Sequence, residues 1–84
     1  MKSAKEMFEE LGYTYQESYF DEKLDEINYV KKGRWTRQIH FSLSYRCVSV
    51  YRIDDNDIQK PAYFSMNLLQ AINQQCKELG WLDG

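Results

Sequence analysis

Residues 34–43, Arg-Trp-Thr-Arg-Gln-Ile-His-Phe-Ser-Leu, constrain the fold more than any other stretch of this chain. Trp35, Ile39, Phe41 and Leu43 share one parity, broken only by Arg37, while Thr36, Gln38, His40 and Ser42 share the other. Side chains on a strand alternate faces with period two, so this is the pattern of a half-buried β-strand with one apolar and one polar face. The partner strands and the cover for the apolar face must come from the same 84 residues, a length that supports one domain with one core.

The flanking segments supply partners. Residues 26–31 alternate again, and Lys32-Gly33-Arg34 is a turn with Gly33 near the left-handed region. That three-residue connection sets Lys31 opposite Trp35, Tyr29 opposite Arg37 and Ile27 opposite Ile39. Beyond Leu43, the glycine-free Ser44-Tyr45-Arg46-Cys47 suits a four-residue loop built on a type I turn, leading into a strand over 48–53. Val48 and Val50 then face the core beside Leu43 and Phe41. Asp54-Asp55-Asn56-Asp57 ends the sheet with turn formers, without the glycine and distal glutamate of a calcium loop. Residues 13–16 have strand-type side chains, the acidic 17–25 fits either a loop or a helical turn, and 58–64 reads as a short extended piece past Pro61.

Both ends of the chain read as helices. Ser3 and Glu6 form a capping box, and Ala4, Met7, Phe8 and Leu11 follow as one stripe, giving a helix over 4–11 with Gly12 as its C′ residue. Ser65 caps a second helix whose stripe is Leu69, Ile72, Cys76 and Leu79, widened by Leu68 and Met66, and Gly80 ends it. Glu10-Leu11-Gly12-Tyr13 and Glu78-Leu79-Gly80-Trp81 are the same stop used twice. The expected architecture is α+β: a two-layer sandwich in which a three-stranded antiparallel β-meander is covered on one face by the N- and C-terminal helices, in the order αβββα.

The net charge of −2 conceals a strong asymmetry. Lys31, Lys32, Arg34, Arg37, Arg46 and Arg52 occupy a stretch without a single acid, and the segments on either side are acidic. No window approaches the apolar length of a membrane helix, and the N-terminus lacks an apolar signal core, so a cytoplasmic location with no membrane partner is expected. Cys47 and Cys76 lack CxxC spacing and read as free thiols. His40 is the only histidine, so no metal-ligand cluster forms, and neither a cofactor nor a small-molecule substrate is expected.

The segments Phe8-Glu9-Glu10-Leu11-Gly12-Tyr13 and Leu68 through Leu82, reading Leu-Leu-Gln-Ala-Ile-Asn-Gln-Gln-Cys-Lys-Glu-Leu-Gly-Trp-Leu, resemble the two ends of small uncharacterised proteins carried by prophages and integrative elements of Gram-positive bacteria. The resemblance covers about a quarter of the chain. It implies a bacterial or phage cytoplasm and an accessory role, and it brings no catalytic residues to map.

Function then rests on surfaces. His40 with Ser42 on an open sheet face lacks the pocket and the third orienting group of a nucleophilic site, which argues against an enzyme. The favoured expectation is a protein-interaction module, self-associating through a sheet edge or through the open face carrying Thr36, Gln38, His40, Ser42, Ser49 and Tyr51, with a homo-oligomer or another protein as partner. The alternative is a nucleic-acid-binding accessory protein using Lys31, Lys32, Arg34, Arg46 and Arg52. The acidic pI of about 5.3 weighs against that alternative.

Overall fold

The computed structural model describes residues 2–82; Asp83, counted above in the acidic C-terminal flank, lies outside them. The elements are α1 (Ala4–Glu10), β1 (Thr14–Phe20), β2 (Lys23–Lys31), β3 (Thr36–Ser42), β4 (Cys47–Ile53), β5 (Gln59–Pro61) and α2 (Met66–Glu78). The fold is α+β with an antiparallel sheet, but the sheet has five strands in the order β1-β2-β3-β4-β5 instead of the expected three.

The two additional strands lie where the sequence signal was weakest. β1 and β2 are joined by the two-residue turn Asp21-Glu22, with φ of 50° and 65°. That is the geometry of a type I′ turn, normally marked by Asn-Gly or Asp-Gly. With Glu in the second position the turn carries no glycine signal, so the acidic stretch 17–25 gives no sign of a hairpin. β5 is three residues paired to β4, and a Pro at its end suits an edge position.

Strand parity is as expected and register is not. Tyr29 pairs with Ile39 and Ile27 with Phe41, so the β2–β3 pairing is slid by two residues from the expected one. Phe41 pairs with Val48 and Ile39 with Val50, and the β3–β4 loop is Leu43–Arg46 with Arg46 at φ 54°. A slide of two keeps every side chain on its face, whereas a slide of one would have exchanged the faces. The wider β2–β3 loop lifts Trp35 out of the strand and out of the core position expected for it.

The core forms between the helices and the odd-numbered face of β2 and β3. Phe8 of α1 stacks on Tyr29 with ring centroids 3.8 Å apart and planes at 16°, and Phe41 meets both rings edge-on. α2 contributes Leu68, Ala71, Ile72 and Cys76. Its buried stripe is therefore rotated from the one read off the sequence: Leu69 is half-buried, Met66 is exposed and Gln75 is buried. Gln75 Oε1 accepts a hydrogen bond from the Tyr29 hydroxyl at 2.5 Å, which satisfies two polar groups inside the core.

Both helices end alike. Tyr13 N–H donates to Phe8 O and Gly12 N–H to Glu9 O after α1, and Trp81 N–H donates to Cys76 O and Gly80 N–H to Lys77 O after α2. These are paired Schellman bonds, with Gly12 at φ 92° and Gly80 at φ 78°. The capping box at Ser3 and Glu6 is formed, and the Ser65 hydroxyl accepts from Leu68 N–H. Glu78 Oε2 accepts from the Ala4 N–H at 2.7 Å and so ties the start of α1 to the end of α2. The dimensions, 37 × 33 × 18 Å, are those of one sheet under one helical layer.

Candidate functional site

Antiparallel register aligns side chains of one parity into rows that cross the sheet. One row joins Lys31 of β2, Arg37 of β3, Arg52 of β4 and Lys60 of β5, each directly opposite the next. Adjacent strands lie about 4.8 Å apart, so the row is about 14 Å long. It lies on the helix-bearing face, at the end of the sheet where the β2–β3 loop brings Lys32 and Arg34 alongside. Like charges directly opposite one another across a sheet are destabilising, so four cations in succession are not explained by the needs of the fold.

Each cation is held by local packing. Lys31 lies along the α1 terminus: its Cε would be 3.2 Å from a Cβ at position 12, and its ammonium is 5.8 Å from the centroid of the Tyr13 ring. Arg37 stands beside the Tyr13 hydroxyl; burial pushes that hydroxyl's pKa up, and the neighbouring guanidinium opposes the shift. The Arg52 guanidinium lies over the Trp35 ring at 4.3 Å, and its buried Nε has no hydrogen-bond partner. Lys60 is 3.3 Å from Asp54 Oδ2. Asp54 accepts the N–H groups of Ile58 and Asn56, and these bonds with the nearby Lys60 hold its carboxyl below the usual range.

Among the described residues, ion pairs within 4.0 Å are Lys2–Glu10, His40–Glu26 and Lys60–Asp54. Lys31, Lys32, Arg34, Arg37 and Arg52 therefore have no carboxylate partner among the described residues. Arg52 and Lys60 line a hollow with Arg34, Trp35, Asp54, Asp55 and Asn56, and the other cations line a pair of adjoining hollows. One, of about 260 Å³, is lined by Lys31, Lys32, Gly33, Arg34, Trp35 and Arg37. The other shares Lys31 and Arg37 and adds Tyr13, Tyr63, Phe64 and Ser65 at the start of α2.

The structure thus brings Lys31, Lys32, Arg34 and Arg52 together and leaves out Arg46, which sits in the β3–β4 loop at the opposite end of the sheet. Arg37, Lys60, Tyr63 and Phe64 belong to the same surface and were not among the candidates. Arg37 shares a sheet face with Lys31 and Arg52, which was readable from the alternation. Lys60 joins only because β5 exists.

The opposite face holds Thr36, Gln38, His40, Ser42, Ser49 and Tyr51, as expected from the alternation. Gln38 Nε2 donates to Asn28 Oδ1 at 2.9 Å. His40 Nε2 is 3.3 Å from Glu26 Oε1, close enough to attract an imidazolium but not aligned as a hydrogen bond. Ser42 Oγ accepts from Tyr45 N–H. Burial, with the Glu26 carboxylate nearby, raises the Tyr51 pKa. This is a predominantly polar sheet surface.

Among the described residues, no cluster of three or more His, Cys, Asp or Glu side chains is placed to hold a metal, and no helix is long and apolar enough to cross a membrane. No protein-family model, curated protein or solved structure matches the chain.

Proposed function

We propose that this protein is a small non-enzymatic binding module of the cytoplasm, of phage or mobile-element type, whose ligand is the phosphate backbone of a nucleic acid. The observation that carries this reading is the cross-strand row Lys31-Arg37-Arg52-Lys60, with Lys32 and Arg34 beside it and Asp54 as its one paired carboxylate. A polyanion relieves the mutual repulsion of such a row, and the arginines can grip phosphate oxygens with two N–H groups each. The acidic pI does not oppose this, because binding follows the local field and not the sum of charges.

The test is oligonucleotide binding against salt. Four phosphate contacts give a slope of about −3 in log K against log [salt] on a single strand. Lys31→Glu combined with Arg37→Glu should abolish the shift. No binding of any oligonucleotide at low salt would sink the reading.

A second reading, self-association, is favoured by β1. Its seven residues form one edge of the sheet, with nothing paired on the outer side, although a bulge between Ser18 and Tyr19 blunts it. A second copy adding across β1 would make a continuous sheet. Light scattering decides: a strict monomer at high concentration and low salt removes this reading.

A further inference from the structure

A row of cations binds the phosphates of a duplex or of a single strand; what borders the row distinguishes the two. Here both margins are aromatic. Tyr63 and Phe64 line the hollow that contains Lys31 and Arg37, and Trp35 lines the neighbouring hollow around the same two cations. Tyr63 is fully exposed and Phe64 half-exposed, and neither belongs to the core cluster nor to the apolar side chains packed against it. Trp35 is 38% exposed. The Arg52 guanidinium lies over its ring at 4.3 Å, and that of Arg34 is 5.9 Å from the ring centroid.

In a duplex the base faces are occupied by their own stack, and a protein meets phosphates and groove edges. Aromatic rings beside a phosphate-tracking groove have partners only when bases are unstacked, and stacking on any base is sequence-tolerant. We propose that the ligand of this surface is single-stranded nucleic acid, its phosphates along Lys31-Arg37-Arg52-Lys60 and its bases on Tyr63, Phe64 and Trp35. The inference rests on the phosphate-binding reading and adds to it a choice of strand state.

The experiment is fluorescence anisotropy at low salt with labelled oligo(dT), oligo(rU) and a mixed-sequence duplex of equal length, each about a dozen nucleotides per strand. One of the single strands should bind at least about tenfold more tightly than the duplex. Tyr63→Ala with Phe64→Ala should weaken the single strand by about tenfold or more and leave the duplex unchanged, while Arg37→Glu should weaken both. Circular dichroism of the exposed aromatic variant checks that it is folded. Equal affinity for strand and duplex, or no effect of Tyr63→Ala with Phe64→Ala on the strand, overturns the single-strand inference while the phosphate-binding reading stands. Loss of all binding in the wild-type protein overturns both.

Discussion

At the scale of the residue, Tyr29 shows how a polar atom is kept in a small core. Its ring is sandwiched by Phe8 and edged by Phe41 and Tyr15, and its hydroxyl has one partner, Gln75. Tyr29→Phe leaves the Gln75 oxygen unpaired in the interior and should cost about 1–3 kcal/mol, a fall in Tm of roughly 4–8 °C for each 1 kcal/mol. Adding Gln75→Met should recover much of that loss, because both polar partners are then gone. Burial drives the Tyr29 pKa far above the ordinary 10.0, and it pushes Tyr15 up to about 12 with help from the Glu17 carboxylate. Both hydroxyls are neutral in the folded and unfolded chain below about pH 10. Above it the unfolded chain releases its protons first, so stability is lost as pH rises from about 10. Denaturant titrations across that range should show the decline, and Tyr29→Phe should flatten it.

At the scale of the element, the two Schellman stops look identical in sequence but differ in what surrounds them. Gly12 has φ 92° and the Lys31 side chain 3.2 Å from where a Cβ would be, while Gly80 has φ 78° and open space. Gly80→Ala should cost about 1 kcal/mol from backbone strain alone. Gly12→Ala should cost more, because Lys31 must also move, and it should weaken oligonucleotide binding where Gly80→Ala does not. The β1–β2 turn offers the opposite experiment. Glu22 sits at φ 65° in a type I′ position that favours glycine. Glu22→Gly should stabilise the protein by about 0.5–1 kcal/mol, measured by equilibrium unfolding.

At the scale of the whole molecule, like charges are aligned: Lys31, Arg37, Arg52 and Lys60 stand in one row at one end of the sheet, with Asp54 and Asp55 beside its Arg52–Lys60 end. Binding and stability should therefore pull in opposite directions along the row. Arg37→Glu creates opposite-charge pairs with Lys31 and Arg52 and should stabilise the fold by about 0.2–1 kcal/mol at low salt. The same change should weaken nucleic-acid binding. Parallel unfolding and anisotropy measurements on this variant check both signs, and a destabilised variant would mean that Arg37 is structural.

The local rules written in the residues determined a large part of this protein. Both helices and their caps, the strand character of 26–31, 34–43 and 48–53, and the alternation of faces along these strands were legible, Trp35 and the rotated stripe of α2 excepted, because parity, capping and glycine stops act over a few residues. The register was not. A slide of two satisfies the same alternation, and only packing of Phe8, Tyr29 and Phe41 into one cluster selects between the possibilities. The β1–β2 hairpin was hidden by a turn whose left-handed residues are Asp and Glu. The candidate site depended on the register and on the pairing of β5. With the expected register Arg37 would stand opposite Tyr29 and Lys31 opposite Trp35; with the register formed, Lys31, Arg37, Arg52 and Lys60 fall into line. Sequence placed the cations on one stretch of chain, and the alignment of four strands made them a surface.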